Sequence, residues 1–130
     1  MEETLVALML ADAAVTVEVG QNITWNTRPQ ASGLPAIVLH RVGGRRDTTM
    51  GGASGLVESR VQADIYGATF LATKQAARAV VALLNGVRLD GAATPIVGVF
   101  LDAERDSFEG EEPQPVHRTS LDFRVWHHEA

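Results

Sequence analysis

The chain has 130 residues, 45% apolar and 21% charged, with mean hydropathy of +0.03 and a formal net charge of −5. That composition predicts one globular domain over residues 1–130, and the absence of cysteine excludes disulfides, thiolate metal sites and cysteine nucleophiles. The acidic balance argues against a dedicated nucleic-acid binder, no apolar run approaches the roughly 20 residues needed to span a bilayer, and the acidic start Met1-Glu2-Glu3 is unlike a basic secretory leader. The expected location is therefore the cytoplasm until something assembles the protein.

Glu2 to Ala11 reads as a helix, with acids in its first turn and Leu5, Leu8 and Met9 at helical spacing. Val6 and Leu10 make it apolar on nearly every side, so it needs cover from its own sheet and from a neighbouring subunit. Asp12 caps a further turn that Gly20 ends, and Ile23 to Asn26 is a short strand before the Arg28-Pro29 break. Leu34 to Val42 is rich in β-branched residues and reads as a long strand, opened by Pro35 where a missing N–H is tolerated. Its partner is Leu56 to Tyr66, where Val57, Ser59, Val61, Ala63 and Ile65 alternate with Glu58, Arg60, Gln62, Asp64 and Tyr66.

Between these strands lie thirteen residues, Gly43 to Gly55, with five glycines, the pair Arg45-Arg46 and no aromatic anchor. A hairpin needs only two to five. The excess predicts an arm that becomes ordered against another chain, or a flap over a ligand. Its glycines lead into a strand rather than a helix, so they do not form a phosphate cradle.

Thr69 is the expected N-cap of the next helix and Asn85-Gly86 its stop, with Ala72, Ala76, Ala79, Val80 and Leu83 along one face. Pro95 to Leu101 and Pro115 to Trp126 supply two more strands, the second burying Thr119, Leu121, Phe123 and Val125. The acidic stretch Asp102 to Glu112 between them reads as a solvated or partner-facing connection. The fold class is α+β: an antiparallel sheet of four to five strands, two main helices packed on one face, and a long projecting hairpin loop.

Signals of chemistry are weak. His40, His117, His127 and His128 show no metal-ligand spacing, and His127-His128 reads as an exposed, frayed terminus. Asp102, Glu104 and Asp106 lack the glycine and the final glutamate of a calcium loop, and no serine sits in a nucleophile elbow. No cofactor is expected. The residues singled out are candidate subunit or partner contacts: Arg45, Arg46, Asp47 and Met50 in the arm, and Glu104, Asp106 and Glu109 in the acidic stretch. Arginine forks meeting a neighbour's carboxylates would make a head-to-tail contact of the kind that closes a ring.

Several stretches together resemble the tail-terminator, or tail-completion, proteins of long-tailed bacteriophages and the related gene transfer agents. They are Leu5 to Val15, Leu34 to Val38 with the glycine-rich segment after it, Arg60 to Gly67, the alanine-rich helix, and Arg118 to Trp126. The resemblance implies a structural, non-enzymatic role: a sixfold ring on the head-proximal end of the tail tube that stops the addition of tube protein and joins the head connector. It implies no residue-level site. A hexamer would carry roughly −30 formal charges, which facing the bore would let DNA slide through without specific binding. Residence in the host cytoplasm and then in the neck of the particle follows, with no membrane partner. The alternatives are another neck ring protein, a small hydrolase using His40 and Asp64, and an adaptor adding a peptide strand to a sheet edge.

Overall fold

The computed structural model describes residues 2–26, 35–49, 52–87, 96–109 and 116–128, with backbone alone for 46–49, 52–55 and 109. Helix α1 (Glu2–Ala11) has the bounds its pattern predicts, burying Leu5 and Met9. The turn expected after Asp12 is a separate helix, α2 (Ala13–Val19), closed by Gly20 at φ 63°, whose N–H reaches the Thr16 carbonyl at 2.8 Å. Strand β1 (Ile23–Trp25) ends where Asn26 turns to φ 68°, a left-handed conformation that asparagine tolerates.

β2 (Ala36–Thr49), β3 (Gly52–Gly67), β4 (Ile96–Glu109) and β5 (Val116–His128) complete a five-stranded sheet of order β1-β2-β3-β5-β4. Three of its pairings are antiparallel. The expectation of a wholly antiparallel sheet fails at β1, which runs parallel to β2 with Ile23 opposite Ile37 and Trp25 opposite Leu39. At three residues, β1 is too short for its composition to carry a direction.

Two segments read as connections are strand. The arm from Gly43 onward pairs with β3, Gly43 opposite Arg60, Arg45 opposite Glu58 and Thr49 opposite Gly52, with register shifts after Arg41 and Arg46. Glycine is depleted in strands because it offers nothing to pack, yet backbone pairing needs no side chain, and bulges absorb the irregular spacing. Only the pairs Thr48–Ala53 and Thr49–Gly52 lie beyond Leu56, where the last β5 partner sits. The arm is thus mainly sheet, with a short ribbon past its end. The acidic stretch likewise continues β4 to Glu109, paired with β5 down to Val116. Its exposure was correctly expected; its conformation was not, because an edge strand carries charge without penalty.

The main core is built on one alternate set of sheet residues. Ile37 and Leu39, Val61, Ala63 and Ile65, Leu121, Phe123 and Val125 pack with Leu5, Met9, Val15, Val19 and the inner side of α3 (Phe70–Leu84). The predicted strand face Thr119, Leu121, Phe123 and Val125 is buried throughout. On α3 the buried side is Thr73, Ala76, Ala77, Val80 and Leu84, rotated from the predicted stripe; Ala72, Ala79 and Leu83 are only half-buried. Two small residues explain the rotation. Thr69 caps the helix as predicted, accepting from the Ala72 N–H at 3.1 Å, and the first turn then sits directly on Gly67. A Cβ at Gly67 would lie 2.2 Å from Thr73 Oγ1 and 3.1 Å from the Thr73 backbone nitrogen. At the other end Asn85 Oδ1 accepts from the Leu101 N–H at 3.0 Å, tying the helix stop to β4.

Gly67→Ala is therefore expected to destabilise the protein by about 1–3 kcal/mol, as overpacking against backbone does. Thr69→Ala is expected to cost about 1 kcal/mol through the lost cap. Denaturant unfolding of the two variants checks both values, with Gly67→Ala the more damaging.

Candidate functional site

The predicted contact residues divide between two places. Arg45 lies on β2, exposed, 3.4 Å from Glu58 of the adjacent strand. Arg46 and Asp47 follow it in β2, their side chains outside the described residues, and Met50 lies outside the described residues altogether. Glu104 and Asp106 stand on the β4 edge, converging on Lys74 of α3 at 3.0 Å and 2.7 Å; of Glu109 only the backbone is described. The hydrogen bond from Lys74 lowers the pKa of Asp106, and that same bond raises the pKa of Lys74. The acidic strand is thus partly compensated within its own chain, since Asp102 also lies 3.5 Å from Arg124. The arm and the acidic strand are not in contact with each other; β3 and β5 stand between them.

The sheet face opposite the main core is a polar lattice. Asp64 is 3% exposed and accepts from Ser120 Oγ at 2.7 Å and from Gln62 Nε2 at 2.8 Å, while His40 Nε2 lies 3.4 Å from its other oxygen. Arg105 holds Asp122 through both carboxylate oxygens, at 2.5 Å and 3.4 Å, and the hydrogen bond to Asp122 raises the arginine's pKa. Arg60 and Arg124 sit directly opposite each other, and Arg124 Nε is buried without a hydrogen bond although Asp102 is within ion-pair distance.

His40 and Asp64 do meet, but not in the serine–histidine–acid order of a nucleophilic triad. Serine and histidine both address the carboxylate, whereas nucleophilic catalysis needs the histidine between serine and acid. A second serine–histidine pair went unseen in the sequence. Ser59 Oγ lies 2.7 Å from His127 Nε2, and His127 Nδ1 lies 3.2 Å from the His128 carbonyl. This corrects the expectation of an exposed terminus: His127 is 8% exposed, a member of β5 opposite Val57. The alternation of β5, carried two residues further, would have placed it inward. Ser59 is fully buried, so the pair offers a substrate no approach and satisfies two polar groups inside the sheet. Among the described residues no three His, Asp or Glu side chains converge as a metal site requires.

Among the described residues exposed apolar side chains include Val17 and Val42 as well as members of two further groups. An open groove of about 590 Å³ lies between α1 and the β1 edge, floored by Val6, Ala7, Leu10 and Trp25 and rimmed by Glu2, Glu3 and Arg41. At the β4 edge Phe70, Leu71 and Phe108 are 57%, 62% and 59% exposed, with the His117 ring 5.0 Å from Phe108 and 6.3 Å from Phe70. Val6 and Trp25 of the groove also pack against the main core. The comparisons bear on the family and the fold. The model of the family described as tail completion protein gp17 matches residues 3–128. The chain belongs to that family. Its fold is also that of a chain in a solved structure titled "Virion of native gene transfer agent (GTA) particle", with a TM-score of 0.74 and 21% identity over 96% of this chain and 92% of the other. No curated protein matches in sequence. Membership gives the protein a structural role in tail assembly, and the family expectation of the sequence stands.

Burial gives one pH effect. Desolvation lowers the pKa of His127 from 6.5, so the folded state resists a proton that the unfolded chain accepts. Stability is full above the unfolded value of 6.5 and is lost as pH falls through the lowered folded value. Asp106, with a carboxyl held below 3.8, loses its contribution only in stronger acid, and Lys74 only in base above 10.5, so neither interferes in that window. Urea unfolding between pH 7.5 and 5 is expected to show a falling stability that His127→Gln flattens. An equal slope in the variant would assign the effect to another group.

Proposed function

We propose that this protein forms a ring on the head-proximal end of a completed tail tube, ends the addition of tube subunits and joins the tail to the head connector. The observation that carries the reading is the family match, which runs through every described element from α1 to β5. The likeness to a chain of a gene transfer agent virion supports a place in such a particle, phage or agent. A ring is also what the surface chemistry favours. Two different apolar patches lie at opposite edges of one sheet, and unlike patches meet head to tail, a contact that closes into a ring when the rotation allows. Six copies would follow the family pattern, with the major tail tube protein below, the connector above and DNA passing through without specific binding. The role is non-enzymatic and needs no cofactor. The work is done by surfaces, on assembly in the host cytoplasm and then in the neck of the particle.

Electron microscopy of particles from a producing strain lacking the gene tests this directly. Abnormally long headless tubes beside filled, tailless heads are expected, because polymerisation has lost its stop. Tubes of normal length that fail to join heads would instead assign the protein to the connector side of the junction, and normal particles would overturn the assignment. The arm contributes to docking in this reading. Arg45→Glu with Arg46→Glu is expected to lower particle yield while leaving unfolding nearly unchanged, since an exposed pair such as Arg45–Glu58 is worth less than about 1 kcal/mol. Unaltered yield would remove the arm from the contact.

A further inference from the structure

Each edge of the sheet is covered along one part of its length and open along the other. At the β1 side the Ile37 N–H donates to the Asn22 carbonyl and the Asn26 N–H to the Leu39 carbonyl, both at 2.8 Å, and β1 ends there. Successive residues turn their backbone groups to opposite sides of a strand. The pairs Gly43–Arg60 and Arg45–Glu58 therefore face β3, and Arg41, Gly44 and Arg46 turn their N–H and C=O outward, with no strand beside them among the described residues. At the β4 side the segment after α3 covers the first half. The Gly86 N–H reaches the Val99 carbonyl at 2.7 Å, the Val99 N–H reaches the Val87 carbonyl at 3.1 Å, and the Leu101 N–H reaches Asn85 Oδ1 at 3.0 Å. The same alternation leaves the backbone of Glu104, Asp106 and Phe108 facing outward. We propose that these two open windows, 41–46 of one copy and 103–108 of the next, pair as antiparallel strands. This rests on the ring reading above and names its interface.

Direction, charge and stagger each favour this pairing. Three successive antiparallel pairings make β2 and β4 of one copy run in opposite directions, so a neighbour related by rotation presents its β4 antiparallel to β2. Residues 41–46 carry three arginines and no acid, whereas 102–109 carry four acids and one arginine. Two basic windows repel each other, as do two acidic ones, so charge selects the head-to-tail match over either symmetric one. Arg41 also shares the groove rim with Glu2 and Glu3 of its own chain, and Glu104 and Asp106 share Lys74. Backbone hydrogen bonds are thus the main contact, and the charges choose the partner. The two windows stand at different levels. Glu104 is level with Leu39 through Leu121 and Ala63, and Asp106 with Ile37 through Thr119 and Ile65. Joining the windows displaces the neighbour by about six residues, or ~20 Å, across a five-stranded copy ~24 Å wide. That slope is about 40°, and closing a sheet on itself demands a strand tilt of roughly 35–45°.

The absence of native cysteine makes disulfide trapping clean. Arg45 of β2 and Ala103, Arg105 and Ser107 of β4 are exposed and lie on the same face of the sheet. Chains combining Arg45→Cys with Ala103→Cys, Arg105→Cys or Ser107→Cys sample the neighbouring registers, and each is oxidised mildly, alone and with purified tail tubes. One of the three is expected to give a ladder of multimers, while chains with a single cysteine stay monomeric. Phe108→Pro removes an outward N–H and none that β4 gives to β5, and it is expected to abolish the ladder with the circular dichroism unchanged. Arg46→Pro does the same from the β2 side, so a folding defect in one variant does not decide the result. Electron microscopy of the unmodified protein, alone and on tubes, reads ring formation separately. A ladder that the prolines remove supports the strand contact, and one that survives both prolines overturns it. Rings without a ladder overturn the contact and leave the ring reading standing, and neither ladder nor ring overturns both.

Discussion

The pairing of β3 with β5 is the constraint on which the rest of the molecule depends. It runs without a bulge from Leu56 opposite His128 to Gly67 opposite His117, and it fixes which side of the sheet every other element sees. A slip of one residue would turn Val61, Ala63, Ile65, Leu121, Phe123 and Val125 outward and bring Arg60, Asp64, Asp122 and Arg124 against the helices. Burying those charges would cost far more than any local contact returns. The polar lattice thus guards the register as firmly as the apolar core does. Asp64 is the clearest case: a buried carboxylate that Ser120, Gln62 and His40 satisfy only when β2, β3 and β5 are in phase.

The irregular features collect away from that pair. Both register shifts of β2 and both of β4 fall in strands that flank the regular centre, and β1 contributes three residues. Sheet edges with free backbone groups invite pairing with other chains, and β4 answers with Asp102, Glu104 and Asp106, all exposed. On the other side β1 stops opposite Leu39, so β2 has no strand on its outer side from His40 onward among the described strands. The charged edge resists indiscriminate strand addition, whereas the outer side of β2 from His40 onward stays open among the described strands.

How much of this the sequence disclosed depended on whether a feature had a period. The bounds of α1, the Thr69 cap, the helix stop at Asn85 and the inward face of β5 were legible, because capping chemistry and alternation act over a few neighbouring residues. The arm and the acidic strand were misread for one reason. Gly43 and Gly44, like Glu104, are poor strand formers by composition, and their strand conformation comes from partners far along the chain: Arg60, Ser59 and Leu121. His127 lies inward because the alternation of β5 continues to the end of the strand, despite its nearness to the terminus. The rotation of α3 was out of reach, since it depends on the touch between Gly67 and Thr73. At the candidate site the acids of β4 were recognised as exposed, but the groove and the aromatic cluster were not seen, because each is assembled from elements distant in sequence.

The same division bears on how such a protein avoids assembling too early. Each monomer carries −5 formal charges that repel another copy in free solution. The apolar patches are small and sit among charges of both signs, so a single contact between two copies is weak. A ring closed on a tail tube, as proposed, would draw on the tube as a template, because holding several copies side by side raises their effective concentration. The charge that keeps monomers apart in solution would then be overcome only where the tube gathers them.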